Sequence, residues 1–181
     1  DNANVAALTY GPAVLAGNGT IALEILEDLP EPDAVLVPYG GGGLSTGIAA
    51  TLRALRPEVR VYACEVATAA PLAASLAAGT PQTIPYVPSF VDGIGGTSVF
   101  PEIWPLVRDL IQGSLVVSVE ETAAALRLLV ERNRLVAEGA GAAPVAAALQ
   151  GLASARQIVC IVSGGNIDPK KTAAILEGGV P

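Results

Sequence analysis

Four consecutive glycines, Gly40, Gly41, Gly42 and Gly43, are the residues of this sequence best suited to bind an anion. They follow an apolar segment and precede a segment of small residues that begins at Leu44. Because glycine has no Cβ, successive backbone N–H groups can turn toward one point, which the positive end of the following helix dipole also faces. This glycine run predicts a cradle for a phosphate-like group. The alternative is a tight strand-to-helix turn without a ligand.

A second candidate, the serine turn, consists of Ser163, Gly164, Gly165 and Asn166 and follows another apolar segment. It presents a hydroxyl at the end of a predicted strand, beside two glycines that let a planar ring come close. Alone, this turn is equally consistent with an ordinary strand-to-helix connection. Together with the glycine run it indicates a flat, phosphorylated ligand held at both ends, a description that pyridoxal phosphate fits.

The residue types that are rare in this chain exclude several kinds of chemistry. The sequence has no histidine, which removes histidine-dependent nucleophile systems and most zinc sites. Its only lysines are Lys170 and Lys171. Its two cysteines, Cys64 and Cys160, are far apart in sequence at the ends of predicted strands, so we expect buried thiols rather than a metal site.

Composition points to a globular chain that binds a small molecule. The 181 residues are 51% hydrophobic, with a mean hydropathy of +0.53 and a net charge of −7. Charged residues interrupt every apolar run well before the ~18 residues that a membrane span needs. The negative charge argues against nucleic acid and anionic lipid as partners. With no signal-like start, we expect a cytoplasmic protein.

Alternating helical and strand patterns predict an α/β fold with a parallel sheet. The glycine run and the serine turn both follow predicted strands, and ligands of such sheets bind at the carboxyl ends of the strands. Ser118 and Glu121 predict a capping box. The predicted strands are residues 34–38, 59–64, 114–118 and 158–162; the predicted helices are residues 20–29, 44–55, 71–78, 103–111, 118 to about 135, an alanine-rich one after Gly139-Ala140-Gly141 up to 149, and 168–176, with an irregular segment over 79–100.

Five segments, in this order and at nearly this spacing, resemble the threonine dehydratase and serine racemase family of fold-type II pyridoxal-phosphate enzymes. The resemblance extends from about Pro12 to Asn166, and the glycine run followed by Leu44 fits this family better than threonine synthase or cysteine synthase. The segments are Ala16-Gly17-Asn18-Gly19-Thr20-Ile21-Ala22-Leu23-Glu24, Val37-Pro38-Tyr39-Gly40-Gly41-Gly42-Gly43-Leu44, Phe90-Val91-Asp92-Gly93-Ile94, Glu131-Arg132 with Ala137-Glu138-Gly139-Ala140-Gly141, and Ser163-Gly164-Gly165-Asn166.

The resemblance implies a three-layer fold, with helices on both faces of a parallel sheet, and a set of site residues. For Asp92 the alternative is an ordinary Asp-Gly turn, and for Glu138 a charge that complements a helix N-terminus. By resemblance, the cofactor phosphate is bound by Gly40, Gly41, Gly42, Gly43 and Leu44; the pyridine nitrogen is met by Ser163, beside Gly164; Asp92 and Gly93 line the pocket; Glu138 lies beside the ring; and Thr9 lies near its O3′.

The implied activity is the conversion of L-threonine or L-serine to a 2-oxo acid and ammonia, or their racemisation. A neutral hydroxyl at Ser163 leaves the ring nitrogen largely unprotonated, which favours elimination of the β-hydroxyl. The resemblance also implies a possible divalent cation at Glu65 and the Ala69 carbonyl. Because Pro71 stands where the family often has an aspartate, the cation site would be weak, and the alternative is that Glu65 caps a loop.

The Schiff-base lysine implied by the family has no counterpart among residues 1–181. We therefore expect these residues to be the cofactor-cradling portion of the family's large domain, inactive alone. Its partners would be an N-terminal part that carries the lysine, together with the small domain, a hydroxyamino-acid substrate and further copies in a homo-oligomer. The alternative is a non-catalytic module that binds a phosphorylated metabolite.

Overall fold

Four parallel strands lie between two layers of helices in the computed structural model, which describes residues 9–181. Residues 1–8 of the predicted unit lie outside the described residues. The elements, in chain order, are α1 (Pro12–Asp28), β1 (Ala34–Pro38), α2 (Gly43–Leu55), β2 (Arg60–Val66), α3 (Pro71–Ala78), α4 (Trp104–Leu110), β3 (Gly113–Val117), α5 (Val119–Leu128) continued by a π-helical turn (Leu129–Asn133), α6 (Gly139–Leu149), β4 (Ile158–Cys160) and α7 (Pro169–Leu176).

The strand order is β3-β2-β1-β4, so β1 is central and β4 lies at one edge. Alternating side chains of the strands pack into two separate cores. Leu36 and Cys64 face the layer that contains α5, α6 and α7, whereas Val35 and Val37 face the layer that contains α1 to α4. The three-layer α/β architecture predicted from the sequence is confirmed.

Strand β4 ends at Cys160, two residues earlier than predicted. Ile161 still donates its N–H to the carbonyl of Leu36 at 3.0 Å. In a parallel ladder the next bond would need an N–H from Pro38, and proline has none. The end of β4 is therefore set by a residue of its neighbouring strand.

Two helices begin earlier than their sequence patterns predicted, and each includes glycines that pack closely against another element. Helix α1 begins at Pro12 and includes Gly19, at which a Cβ would collide with the side chain of Thr51 on α2. Helix α6 includes Gly139 and Gly141, where a Cβ would lie 2.9 Å from Val91 Cα and 3.0 Å from Gly164 O. These glycines are sites of close approach between elements, not helix breakers.

The segment between α3 and α4 has no regular element, as predicted, but it is anchored. Phe90, Val91 and Ile94 are each at most 5% exposed and pack into the core on the α6 face. This anchoring brings Gly93 to the carboxyl ends of the strands. No helix within residues 9–181 has the length and apolar character to cross a membrane.

Candidate functional site

A cleft of about 200 Å³ lies at the carboxyl ends of β1 and β4 and joins most of the predicted site residues. One wall is the glycine run with Leu44. The other walls contain Gly93, Glu138 and Ser163, and Thr9 also lines the cleft. Residues from five separate segments of the sequence thus meet at the edge where an open parallel sheet binds its ligand.

The glycine run presents free backbone N–H groups at the start of α2. Gly42 is the N-cap of this helix and has a φ of +87°, a left-handed conformation that glycine adopts at little cost. The first helical hydrogen bond runs from the Thr46 N–H to the Gly42 carbonyl at 2.9 Å. The N–H groups of Gly43, Leu44 and Ser45 therefore have no acceptor within the helix, and an anion can take that place.

Packing explains why the run needs glycine at particular positions. A Cβ at Gly43 would collide with the backbone carbonyl oxygen of Thr9, and a Cβ at Gly41 with the Thr9 side chain. Gly40 is different, because the nearest atoms to its Cβ would be Gly93 O at 3.7 Å and Ile94 Cα at 3.8 Å. The inner part of the run is tightly enclosed, whereas its first residue has space.

Ser163 lies on the opposite wall, in a turn that Glu138 holds in place. The Glu138 N–H donates to the Gly164 carbonyl at 2.9 Å, and its Oε2 accepts from the Asn166 N–H at 3.1 Å. A Cβ would lie 2.7 Å from Glu138 Oε1 at Gly164 and 2.8 Å from it at Gly93. The Glu138 carboxylate thus fills the space between two glycines that each lack a side chain there.

Asp92 does not line the cleft, unlike its neighbour Gly93. Its carboxylate forms an ion pair with Lys171 Nζ on α7 at 3.3 Å, and both side chains are more than a third exposed. The pocket role implied for Asp92 stays a prediction, and the observed contact connects the loop before Gly93 to the last helix.

Glu65 is fully buried, and protein donors occupy both carboxylate oxygens. Oε1 accepts from the Leu72 N–H at 2.8 Å; Oε2 accepts from the Ala73 N–H at 2.8 Å and from Ser114 Oγ at 2.6 Å. Leu72 and Ala73 lie in the first turn of α3, so Glu65 caps that helix. Burial raises the pKa of Glu65, against the opposing effect of these hydrogen bonds.

These contacts do not favour the cation site predicted at Glu65 and Ala69. Residues 9–181 contain no group of three or more His, Cys, Asp or Glu side chains placed to hold a metal ion. Ala69 is buried, and its N–H donates to the Val66 carbonyl at 2.9 Å. The cation site stays a prediction.

Sequence reasoning missed Tyr39, which lies directly before the glycine run. Its side chain is 1% exposed, and its hydroxyl has no hydrogen-bond partner. Burial, with a smaller effect of the Glu65 charge, raises the pKa of Tyr39 well above its usual range. A large polar side chain next to the glycine run was the signal available in the sequence.

The two cysteines are free thiols, and the expected burial holds for Cys64 but only in part for Cys160. Cys64 is fully buried and Cys160 is half-buried, on the two strands that flank β1. Burial raises the pKa of the Cys160 thiol to about 11, and it raises the pKa of Cys64 as well. Both thiols therefore stay protonated near neutral pH, which makes them poor nucleophiles.

Known proteins share this fold and much of this sequence. A family model described as pyridoxal-phosphate dependent enzyme matches residues 2–164. The L-threonine ammonia-lyase of Geobacter sulfurreducens is 41% identical over 171 residues, which are 93% of this chain and 42% of that protein. Serine racemase of Bos taurus is 40% identical over 163 residues, which are 87% of this chain and 48% of that protein.

The structure of maize serine racemase is similar to this fold, with a TM-score of 0.81 and 34% sequence identity over 91% of this chain and 54% of that chain. The chain spans about half the length of the curated relatives it matches. The predicted cofactor, pyridoxal phosphate, and the predicted resemblance are confirmed. The chain belongs to the pyridoxal-phosphate dependent enzyme family.

Proposed function

We propose that these residues form the cofactor-phosphate and ring-nitrogen portion of a pyridoxal-phosphate dependent ammonia-lyase or racemase acting on L-threonine or L-serine. One observation carries the proposal: a single cleft joins the glycine run to Ser163 at the carboxyl ends of the strands. The similarity to L-threonine ammonia-lyase and serine racemase supports the substrate class.

The glycine run fits the phosphate group of the cofactor. The N–H groups of Gly43, Leu44 and Ser45 are available at the positive end of α2, and the left-handed Gly42 turns the chain into that helix. Since a side chain on Gly43 would collide with Thr9, only bare backbone fits there. These groups bind the phosphate by position, without a lysine or arginine.

Ser163 would meet the pyridine nitrogen with a neutral hydroxyl. When bound, pyridoxal phosphate supplies an electron sink for bonds at the substrate's α-carbon. Because a hydroxyl does not supply the proton that a carboxylic acid partner would, Ser163 keeps the ring nitrogen largely unprotonated. This moderate electron withdrawal suits loss of the β-hydroxyl, which leads to a 2-oxo acid and ammonia.

Glu138 supports the ring side of the cleft. It fixes the turn after Ser163 through the Gly164 carbonyl and the Asn166 N–H. Its carboxylate also approaches Gly93, so a single side chain spans the gap between two walls. We assign it the task of orienting Ser163 and limiting the width of the cleft.

The lysine that bonds to the cofactor would come from outside residues 1–181. The sequence contains only Lys170 and Lys171, and neither lines the cleft. Lys171 is paired with Asp92. We therefore propose that the rest of the enzyme supplies this lysine and the small domain, and that residues 1–181 alone do not turn over substrate.

A cytoplasmic location, a role in amino-acid metabolism and homo-oligomeric assembly belong to the same proposal. The similarity to enzymes named for threonine and serine supports the metabolic role. Light scattering of the purified protein measures the number of copies.

The test of the function uses the intact protein with pyridoxal phosphate and L-threonine or L-serine. The 2-oxo acid released and the visible absorbance of the cofactor are measured for wild type, Ser163→Ala and Ser163→Asp. Ser163→Asp is expected to protonate the ring nitrogen, change the spectrum and shift the reaction toward transamination or racemisation. Ser163→Ala is expected to be milder, because it removes one neutral hydrogen bond to the cofactor, a loss of about 0.5–1.5 kcal/mol of binding free energy.

Ser154→Asp is the matched control, because Ser154 is exposed before β4 and does not line the cleft. Normal dehydration kinetics with an unchanged spectrum in Ser163→Asp would contradict the assignment of Ser163. Cofactor binding by the intact wild type without 2-oxo acid release or racemisation would support the non-catalytic module instead.

A further inference from the structure

Two buried hydroxyls without partners flank the glycine run. Within residues 9–181, the buried side-chain polar atoms that lack a hydrogen bond are Tyr39 Oη and Thr46 Oγ1. Both side chains are 1% exposed. A buried hydroxyl without a partner is destabilising, so native proteins keep few of them. Their occurrence on both sides of one loop points to a role at that loop.

Tyr39 lies behind the loop rather than in the cleft. Its side chain packs in the core with Ile103, and it does not line the cleft. A Cβ built at Gly42 would lie 3.3 Å from both Cε2 and Oη of Tyr39, so the phenol occupies the space beside this left-handed residue where a side chain would lie. The backbone of Tyr39 is fixed, because its N–H donates to the Cys64 carbonyl at 2.9 Å.

The geometry of the peptide unit determines where the carbonyl groups of the glycine run point when its N–H groups bind an anion. N–H and C=O of one planar peptide point in opposite directions, so N–H groups that converge on an anion turn their carbonyls toward the rear of the loop. An anion that polarises these peptides makes the carbonyls better acceptors. The Gly42 carbonyl already accepts from the Thr46 N–H and from Ser45 Oγ at 3.2 Å. The Tyr39 hydroxyl, next to the space beside Gly42, is a further donor that has no acceptor in this structure.

We propose that Tyr39 is a positioning residue for phosphate binding: when a phosphate group binds at the glycine run, the Tyr39 hydroxyl donates a hydrogen bond to a carbonyl of that run from the rear. The proposal rests on the proposed binding of the cofactor phosphate by the run. Because burial raises the pKa of Tyr39, the hydroxyl keeps the proton that it donates. The hydroxyl thereby acts on the phosphate through the loop, without touching it.

The test is a titration of the cofactor-free intact protein with pyridoxal phosphate, followed by absorbance, for wild type and Tyr39→Phe. The variant removes one hydroxyl and should weaken binding roughly three- to tenfold, the effect of one neutral hydrogen bond. Its melting temperature without cofactor should be unchanged or higher, since an unpaired buried hydroxyl is removed. The ³¹P resonance of the bound phosphate should shift.

Two matched controls isolate the effect. Tyr62→Phe removes a half-buried hydroxyl on the opposite face of the sheet and should change none of these readouts. Pyridoxal, which lacks the phosphate, should bind Tyr39→Phe and wild type equally well. Equal affinities of Tyr39→Phe and wild type for pyridoxal phosphate would overturn the proposal. So would a lower melting temperature of the cofactor-free variant, because the hydroxyl would then have a structural partner already.

Gly40→Asp separates this proposal from the proposed function. The position has room for a side chain, and the added carboxylate should repel a phosphate in the cradle. Weaker binding in Gly40→Asp with normal binding in Tyr39→Phe means that the run binds phosphate and that Tyr39 has no part in it. Normal binding in Gly40→Asp would mean that the phosphate does not bind at the glycine run, and this result would overturn both proposals.

Discussion

The two glycine-rich turns of the cleft differ in how the fold supports them. The glycine run follows β1, which is paired on both sides, whereas the serine turn follows β4 at the edge of the sheet. Gly42 and Gly43 are buried, but Ser163 and Gly165 are exposed. A strand paired on both sides holds its following turn more firmly than an edge strand does, because more backbone hydrogen bonds fix its end.

The contacts that surround the glycine run are also more extensive than those that surround the serine turn. The backbone of Thr9 and the buried ring of Tyr39 enclose the glycine run. The serine turn is held chiefly by one partly exposed side chain, Glu138. In the proposed function, a phosphate would need several donors at fixed positions, and the enclosed glycine run would supply them. The ring nitrogen would need one hydroxyl, which the more exposed serine turn would present.

The largest effect is expected for Gly43→Ala in the glycine run. Its Cβ would collide with the Thr9 carbonyl oxygen, so backbone must move, and we expect a loss of about 3 kcal/mol of unfolding free energy and weaker cofactor binding. Chemical denaturation and a cofactor titration measure the two effects. Gly40→Ala is the control for stability, with an expected change within about 0.5 kcal/mol. Equal stability of the two variants would show that the loop is not tightly enclosed.

A second prediction concerns Glu65, which caps α3. Glu65→Gln places an amide N–H₂ group, itself a donor, against a backbone N–H donor of α3. We therefore expect the free energy of unfolding at neutral pH to fall by about 2 kcal/mol. The exposed residue Glu24 provides the control Glu24→Gln, with an expected change within about 0.5 kcal/mol. A neutral effect of Glu65→Gln in urea denaturation would contradict the capping role.

Glu65 also predicts a pH dependence. Its folded-state pKa is raised above the ordinary 4.5, so the folded protein binds this proton more tightly than the unfolded chain. The contribution of Glu65 to the free energy of unfolding is therefore greatest below pH 4.5 and decreases as the pH rises through the folded-state pKa. Denaturation curves at several pH values should show a shallower decrease for Glu65→Gln than for wild type.

A smaller effect is expected for Gly164→Ala in the serine turn. Its Cβ would lie 2.7 Å from Glu138 Oε1, but that obstacle is the end of a side chain, so we expect a loss of about 1 kcal/mol. Adding Glu138→Ala makes room for the new methyl group. Denaturation of both single variants and the double variant should give a favourable coupling energy. Simple additivity would argue that Glu138 does not occupy this space.

The smallest effect is expected for the ion pair between Lys171 and Asp92. Because both side chains are more than a third exposed, Lys171→Ala should lower the free energy of unfolding by only about 0.5 kcal/mol. This difference from wild type should vanish in high salt, which screens the ion pair. Lys170→Ala is the control, since the described residues offer that ammonium group no ion pair. A salt-independent loss would indicate packing of the lysine side chain instead.

Local patterns were enough to predict much of the fold. The bounds of β1 and α3 agree with the prediction, because apolar runs bounded by turn residues encode them directly. The capping box of Ser118 and Glu121 is confirmed, with both reciprocal hydrogen bonds present. Such features involve residues close in sequence, so a single sequence contains all of the information that they need.

The chemistry of the cleft was only partly predictable for the same reason. The glycine run and Ser163 were recognisable because each is a short motif at the end of an apolar segment. The side-chain partners of Glu65 and Asp92 are Ser114 and Lys171, each dozens of residues away along the chain, whereas the backbone partners of Glu65 lie only seven and eight residues away. Nothing local indicates which distant side chain will meet a carboxylate, and so these contacts were not predicted.

The sequence by itself determined the alternation of strands and helices, the two glycine-rich turns and the family resemblance, all of which depend on neighbouring residues. Tertiary structure alone decided that Gly19, Gly139 and Gly141 lie inside helices, because another element passes within contact of each. It also decided that Pro38 ends the pairing of β4 and that Tyr39 lies buried behind the glycine run. Those outcomes depend on which surfaces meet in space, and packing settles that only when the whole sheet has formed.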